Sequence, residues 1–433
     1  PDFVGAAYPE WAPDGDRLLF LGNRDEKLPA DESIDWWVTS LGEDPPVSTG
    51  ALEATRARDL SGPLLVYPWA LIPSAWQDDN VLIFAARSGD SRNLWRMGIS
   101  PDTSKVNGRP ERMTSSSAIE EAPSVASAAG DDVKVAFASL LENSDIWSLP
   151  HDWSRPHQTN SDNARGKLRQ LTRGSEADFH PAVSPDGRNM AFVSARSGRH
   201  EIWLRDQETG SETVLTASQI DKYNPKFAPD GTKISFATHR GGKWDIRLVP
   251  TSGGTAETVC EGCGQATGWS PDGKYLIGNS VDGRVYLVDV ASRRRIDLIH
   301  LSQRWFASGS FSPDGRWITF LEVPYREFIA PFQGETPPPE SSWTTVIAEL
   351  AKWFPDGTGV YGVSDHDGFS CLWAQRLDRA TKRPVGAPSA IFHSHEARLT
   401  ITDATVARSL DGFVFGRTEQ TGNIWMAQWK RLR

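Results

Sequence analysis

One short phrase, an apolar or aromatic residue, a spacer and then Pro-Asp-Gly, recurs along this chain and constrains it more than any other feature. It stands at Trp11 to Gly15, Val183 to Gly187, Phe227 to Gly231, Trp269 to Gly273, Phe311 to Gly315 and Trp353 to Gly357. Pro presets φ at the second position of a turn, Asp accepts a local backbone hydrogen bond, and Gly supplies a positive φ, so each copy reverses the chain tightly between two strands. The anchor aspartates Asp186, Asp230, Asp272, Asp314 and Asp356 follow one another at 44, 42, 42 and 42 residues. That is the period of a four-stranded propeller blade.

Three more units keep the strands and lose the tripeptide. They are Ala75 to Asp79 before Val81-Leu82-Ile83-Phe84, Ala129 to Asp131 before Val133 to Phe137, and Leu410 to Gly412 before Phe413-Val414-Phe415. The sequence therefore predicts an all-β fold: a closed β-propeller of four-stranded blades in a single domain over 1–433, with nine repeat units, or eight blades if one unit makes none of its own. The units run approximately 8–52, 66–115, 119–172, 179–216, 223–260, 266–300, 307–348, 351–395 and 400–433. Within the fourth, Phe179 to Val183, Asn189 to Val193, Glu201 to Leu204 and Glu212 to Leu215 read as successive strands, rich in apolar and β-branched residues.

A second hairpin carries Gly89, Gly198, Gly242, Gly283 or Gly368, where a tight turn needs positive φ. An apolar-Trp pair then follows at Leu94-Trp95, Ile146-Trp147, Ile202-Trp203, Leu372-Trp373 and Ile424-Trp425, with Val285-Tyr286 as a variant. One member of each pair is expected to face the neighbouring blade, which accounts for much of the excess of 18 Trp over 4 Met and 7 Tyr. The ninth unit ends on its third strand, so residues 1–7 are expected to supply the missing outer strand and close the edge. Insertions over Glu26 to Ser33, Ala51 to Ser61, Asp152 to Lys167, Gly334 to Ser342 and Arg379 to Pro388 read as surface loops.

A net charge of −10 argues against a nucleic-acid partner, and the basic run Arg293-Arg294-Arg295 is a solvated hairpin end. No stretch of eighteen apolar residues exists, so no membrane insertion is expected within these residues. The first residues lack signal-peptide order, and a start at Pro1 reads as a fragment or processed product.

The chemistry-bearing motifs each have a plainer reading. Gly268-Trp269-Ser270 and Gly278-Asn279-Ser280 approach a nucleophile elbow but lack its last Gly and its strand-turn-helix setting. Cys260 and Cys263 form one Cys-x-x-Cys, read as a structural or disulfide-bonded turn, with redox and metal roles as alternatives; Cys371 and the nine His add no zinc pattern. His393-Ser394-His395 can place two imidazoles on one strand face and reads as an incidental pair, with metal binding as the alternative; Ser364-Asp365-His366-Asp367-Gly368 has two carboxylates around a turn and reads as a hairpin, with a calcium ion as the alternative. Trp36, Trp69, Trp153 and Trp343 fall outside the repeat and would suit carbohydrate if exposed and coplanar. No catalytic or metal residue is assigned, no cofactor is expected, and the ligand site stays open.

Together these residues resemble the TolB-type Pro-Asp-Gly propeller repeats. They are also similar to the large propeller at the C-terminal end of bacterial Ser/Thr protein kinases and winged-helix regulators. The pieces that carry this are Asn143 to Pro150, Val259 to Gly264 running into Gly268 to Gly273, Leu372 to Gly386, and Thr421 to Trp425. The resemblance implies a C-terminal sensor or scaffold of a larger bacterial signalling protein, often placed outside the cytoplasmic membrane in the periplasm, with a cytoplasmic placement as the alternative. The leading reading is a non-catalytic, monomeric ring that binds a protein, peptide or small molecule. A propeller hydrolase or lyase is the competing reading; it requires titratable side chains that converge from several blades with perturbed pKa values.

Overall fold

A computed structural model describes residues 3, 5–24, 33–40, 42, 44–58, 60, 62, 71–77, 80–88, 91–127, 132–151, 168–174, 176–240, 243–280, 282–302, 304–323, 326–346, 349–396, 398–406 and 412–430. Apart from one short helix, α1 (Ala51–Arg56), and a single 3-10 turn, their regular structure is strand. In chain order the strands are β1 (Gly5–Trp11), β2 (Arg17–Asn23), β3 (Ile34–Ser40), β4 (Val47–Ser48), β5 (Ala75–Gln77), β6 (Val81–Ser88), β7 (Ser91–Ile99), β8 (Val106–Arg112), β9 (Ile119–Ser127), β10 (Asp132–Pro150) and β11 (Arg169–Gln170). They continue as β12 (Asp178–Val183), β13 (Asn189–Ser194), β14 (Glu201–Asp206), β15 (Glu212–Val214), β16 (Asp221–Phe227), β17 (Lys233–Arg240), β18 (Lys243–Pro250), β19 (Glu257–Cys260), β20 (Gln265–Trp269), β21 (Tyr275–Asn279), β22 (Val285–Asp289) and β23 (Arg295–Ile299). The last ten are β24 (Phe306–Phe311), β25 (Trp317–Glu322), β26 (Arg326–Pro331), β27 (Thr344–Val346), β28 (Glu349–Trp353), β29 (Gly359–Ser364), β30 (Cys371–Arg376), β31 (Ser389–Phe392), β32 (Leu399–Val406) and β33 (Gly412–Lys430).

Seven repeats each form their own four-stranded antiparallel meander, and the third and ninth repeats share one sheet of order β11-β10-β33-β32, with β9 also on β10. The chain, expected from the sequence to form a single domain, divides into two compact units, 1–142 with 420–433 and 143–419. The reason lies in two long strands. β10 and β33 span nineteen residues each, and the boundaries at 142/143 and 419/420 divide both of them.

In the larger unit, Gly412 lies against Leu149 and Pro150, and Thr418 Oγ1 lies 3.0 Å from Ser144 Oγ, so β33 and β10 run antiparallel there between β32 and β11. In the smaller unit, the second half of β33 has Gly422 against Ser139 and Leu140 of β10. Gly5 and Ala6 pair with Asn23 and Gly22 of β2, and Phe3 packs edge-on against Phe20 and Trp37 of the same sheet.

The Pro-Asp-Gly turns behave as their chemistry requires. In Ser270 to Gly273, Gly273 N–H donates to Ser270 O at 2.9 Å, Ser270 Oγ donates to Asp272 Oδ1 at 2.6 Å, and Lys274 N–H donates to the same oxygen at 3.0 Å. Gly273 sits at φ 72°, where a side chain would be strained. Each turn also seats the next: Gly231 lies beside the ring of Pro185, Gly273 beside Pro229, Gly315 beside Pro271 and Gly357 beside Pro313.

The core lies between neighbouring sheets. Tyr275, Ile277, Leu287, Phe306, Phe311, Phe320 and Phe328 form one buried cluster across two repeats. Phe354, Tyr361, Leu372, Phe392, Phe413 and Phe415 form another. Met190-Ala191-Phe192-Val193 is buried on both faces, because Phe227, Ile234 and Phe236 cover one side of its sheet and Ile146, Leu171 and Val414 the other. The Trp pairs follow the same pattern in four of five cases. At Ile424-Trp425 both residues are exposed, 76% and 58%, because among the described residues no strand flanks the free side of β33 there.

Candidate functional site: a charged cluster on the innermost strands

In most repeats the first strand is bulged at a fixed place, and the bulge positions the site; β5 pairs with β6 without a shift. β12, β16, β24, β28 and β32 each shift register at a non-glycine residue of positive φ: His180 (52°), Asn224 (54°), Ser308 (54°), Leu350 (54°) and Asp403 (47°). A bulge leaves one residue out of the ladder and re-aims side chains. Repeated on strand after strand, it turns polar groups out of each sheet and toward the next innermost strand.

Those groups link the strands in sequence. Asn224 N–H donates to His180 Nδ1 at 3.3 Å, Asn224 Nδ2 to Ala266 O at 2.9 Å, Thr267 Oγ1 to Gly309 O at 2.8 Å, and Ser310 Oγ to Ala351 O at 3.1 Å. Lys352 Nζ donates to Ala404 O at 2.8 Å, and His180 Nε2 lies 3.2 Å from Asp403 Oδ2. The contacts thus pass from β12 through β16, β20, β24 and β28 to β32 and return to β12. Because His180 Nδ1 accepts a backbone proton, Nε2 carries the ring proton and donates it to Asp403.

Four titratable groups meet here. His180 and Asp403 keep 25% side-chain exposure each, so water reaches them although protein surrounds them. Lys226 Nζ donates to Asn224 Oδ1 at 2.6 Å. Burial first, and Lys352 second, push the Lys226 ammonium down to about 7 against the opposing pull of Asp403. Burial also lowers Lys352, and it lowers His180, whose neutral form suits the hydrogen bonds just described. Burial alone would raise Asp403, yet His180, Lys352 and Lys226 hold its carboxyl below the ordinary range. Two lysines thus act through space on one carboxylate while their ammonium groups bond Asn224 Oδ1 and Ala404 O, and the surplus positive charge suits an anionic group.

A family model described as the TolB beta propeller domain (PD40) matches residues 159–332. These residues carry TolB-type propeller repeats. Among solved structures, the chain is similar to a putative TolB from Agrobacterium tumefaciens at 20% identity and TM-score 0.47, covering 65% of this chain and 99% of that one. It is also similar to TolB from Acinetobacter baumannii at 17% identity and TM-score 0.43, with 72% and 80% covered. An oligogalacturonate lyase from Vibrio parahaemolyticus aligns at 13% identity and TM-score 0.38, with 61% and 76% covered. No curated protein matches the chain.

The residues singled out in the sequence fall mostly into the TolB-type framework. Ser270 is a turn residue, and Ser280 bonds Asp282, so neither is set up as a nucleophile. Cys260 and Cys263 are joined in a disulfide at the end of β19. Trp36 is buried and donates to Leu71 O at 2.6 Å, while Trp343 packs edge-on against Phe306 and Phe320, so neither offers a free sugar-binding face. Trp69, Trp153, Asp131, Leu410 and Asp411 lie outside the described residues, as do most of the Glu26 to Ser33 and Asp152 to Lys167 insertions. Asp367, read as a hairpin residue, and His393 and His395, read as an incidental pair, come together with Cys371.

The inner-strand cluster was not singled out. A signal for it exists: Tyr8, His180, Asn224, Ala266, Ser308 and Leu350 all stand six residues before an anchor aspartate, and Lys226 and Lys352 stand four before. The residue types at those places vary, so no chemical motif repeats.

Proposed function

We propose that this protein is a non-catalytic binding propeller, a sensor or scaffold. In this reading residues 143–419 form a six-bladed ring whose central channel receives an anionic group of a peptide, protein or small molecule. The observation that carries it is the gathering of Lys226, Lys352, Asp403 and His180 from four innermost strands, with His180 bonded to Asp403 and both lysines acting on that carboxylate through space. The chain of contacts from β12 back to β12 supports the ring. The Cys260–Cys263 disulfide supports placement in an oxidising, extracytoplasmic compartment. Among the described residues no helix is long and apolar enough to cross a membrane.

Calorimetric titration with citrate and with an oligoglutamate peptide tests the reading. Binding is expected at pH 6.5 and is expected to weaken about tenfold per pH unit above 7, because a bound anion requires the Lys226 ammonium that is lost there. The Lys226→Met, Lys352→Met double variant is expected to bind neither probe. Equal affinity in that variant, or no binding of either probe at pH 6.5, overturns the proposal.

Stability carries the same signature with a definite sign. Lys226 has a folded pKa below its unfolded one, so the folded state bears its penalty in full below about 7 and sheds it as pH rises toward the ordinary lysine value. Lys226→Met is therefore expected to raise the melting temperature relative to the parent at pH 6, with the gain shrinking steadily up to pH 10. A pH-independent difference would refute this account of the lysine.

One observation favours a second, enzymatic reading. An amine titrating near 7 beside a carboxylate-histidine pair is matched to proton transfer at neutral pH. Under that reading Lys226→Met abolishes turnover of an acidic substrate and leaves its binding through Lys352 intact.

A further inference from the structure

One sheet of the larger unit, β28 to β31, gathers four donor side chains of three chemical kinds. Asp367 stands in the turn between β29 and β30, which Gly368 N–H closes on Asp365 O at 2.7 Å. Cys371 opens β30 and is buried. The pairing of Leu372 with Phe392 then sets His393, the first residue past β31, beside Cys371, and the chain brings His395 back to the same point. His393 Nδ1 is 3.0 Å from His395 Nε2 and 3.1 Å from Asp367 Oδ2; His395 Nε2 is 2.9 Å from that oxygen. Cys371 Sγ lies 3.7 Å from Asp367 Oδ2, and the four donor atoms all lie within 4.8 Å of one another.

Hydrogen bonding alone accounts poorly for this arrangement. Two imidazole nitrogens and a carboxylate oxygen form a nearly equilateral triangle with edges of 2.9, 3.0 and 3.1 Å. A cation at the centre satisfies all of them at once. Bonds of about 2.0–2.1 Å to nitrogen, about 2.0–2.2 Å to oxygen and about 2.3 Å to sulfur in a tetrahedron place the donors about 3.3–3.6 Å apart. The triangle edges and the sulfur distance bracket that range.

We propose that Asp367, Cys371, His393 and His395 form a four-coordinate Zn²⁺ site. A mixed set of one thiolate, two imidazoles and one carboxylate suits zinc, whereas calcium takes six to eight oxygens, so the acidic turn serves zinc rather than calcium. Four protein ligands leave no open position, which makes the ion a clamp that ties the β29–β30 turn to the segment after β31. The surroundings hold the ligands in place: Ser394 N–H donates to Cys371 Sγ at 3.3 Å, Phe369 N–H donates to Asp367 Oδ1 at 3.3 Å, and the His395 ring stacks on Phe369 at 4.7 Å. Sequence reading meets these residues as two unrelated pairs and a lone cysteine, because the strand pairing that joins them is invisible along the chain.

The test uses the purified full chain, stripped with a chelator and titrated with Co²⁺. The expected result is one equivalent bound, with the intense visible bands of tetrahedral cobalt and a thiolate-to-cobalt charge-transfer band, all removed by Zn²⁺. Cys371→Ser is expected to lose the charge-transfer band. His393→Asn and His395→Asn change exposed side chains and decide the matter should Cys371→Ser fail to fold; each is expected to weaken cobalt binding more than about tenfold, since even supporting partners of metal ligands are worth that much. Absence of the charge-transfer band in the parent, or unchanged affinity in both histidine variants, overturns the site.

Discussion

Phe413→Ala is expected to cost about 3–5 kcal/mol, the range for deleting a buried aromatic ring. Phe413 is fully buried at the start of β33, with ring centroids 5.1 Å from both Tyr361 and His151 and 6.3 Å from Phe354. Its cluster draws on β10, β29, β30, β31, β32 and the rest of β33, with Phe354 just past β28, so collapse onto the vacated space would have to move two sheets together. Domains carry about 5–15 kcal/mol in total, so this one ring represents a large share. Urea denaturation checks it against Val385→Ala, an exposed position where the change stays within about 0.5 kcal/mol. A loss below 1 kcal/mol at Phe413 would mean that β33 is not packed into the larger unit as described.

Glu201→Ala is expected to be comparably damaging for a different reason. Glu201 Oε1 accepts from Lys222 Nζ at 2.5 Å and from Ser218 N–H at 2.9 Å, and Oε2 accepts from Thr216 Oγ1 at 2.6 Å. Both charged side chains are buried, 3% exposed for the lysine and 5% for the glutamate. Burial already pulls the Lys222 ammonium below its ordinary range, and Glu201 is the main group opposing that. Removing one partner of such a pair costs about 3–5 kcal/mol, because the other charge is left desolvated. Replacing both, Glu201→Leu with Lys222→Met, is expected to recover most of the loss. A double variant as unstable as the single one would show that Ser218 and Thr216, rather than the lysine, need the carboxylate.

How much of this could be read from the chain differs by level. Turn chemistry was legible because it is local: Ser270, Asp272 and Gly273 need only one another, and the strand boundaries followed from them. The division into two units was not legible. Nothing near Asn143 or Gln420 marks a boundary, since the backbone continues as regular strand through both places and only its partners change. The inner-strand cluster escaped for a related reason. His180 and Asn224 each precede a proline and sit at matching register, but their chemistry appears only when bulges on different repeats turn His180, Lys226, Lys352 and Asp403 toward one another. The zinc ligands are the same lesson on a smaller scale: Cys371 and His393 become neighbours through the β30–β31 ladder.

The nineteen residues of β33 have a consequence for synthesis. Ser144 and Thr418, which bond each other, are separated by 274 residues, and the same terminal strand goes on to pair β10 in the other unit. On the ribosome, β10 therefore waits with an open edge on both of its halves while the intervening repeats emerge. Neither unit acquires its last strand before residues 412–430 leave the exit tunnel. Such distant pairing is slow to form and leaves strand edges exposed in the meantime. A chaperone that shields β10 during translation, or a stop codon between residues 412 and 419, would act on both units at once.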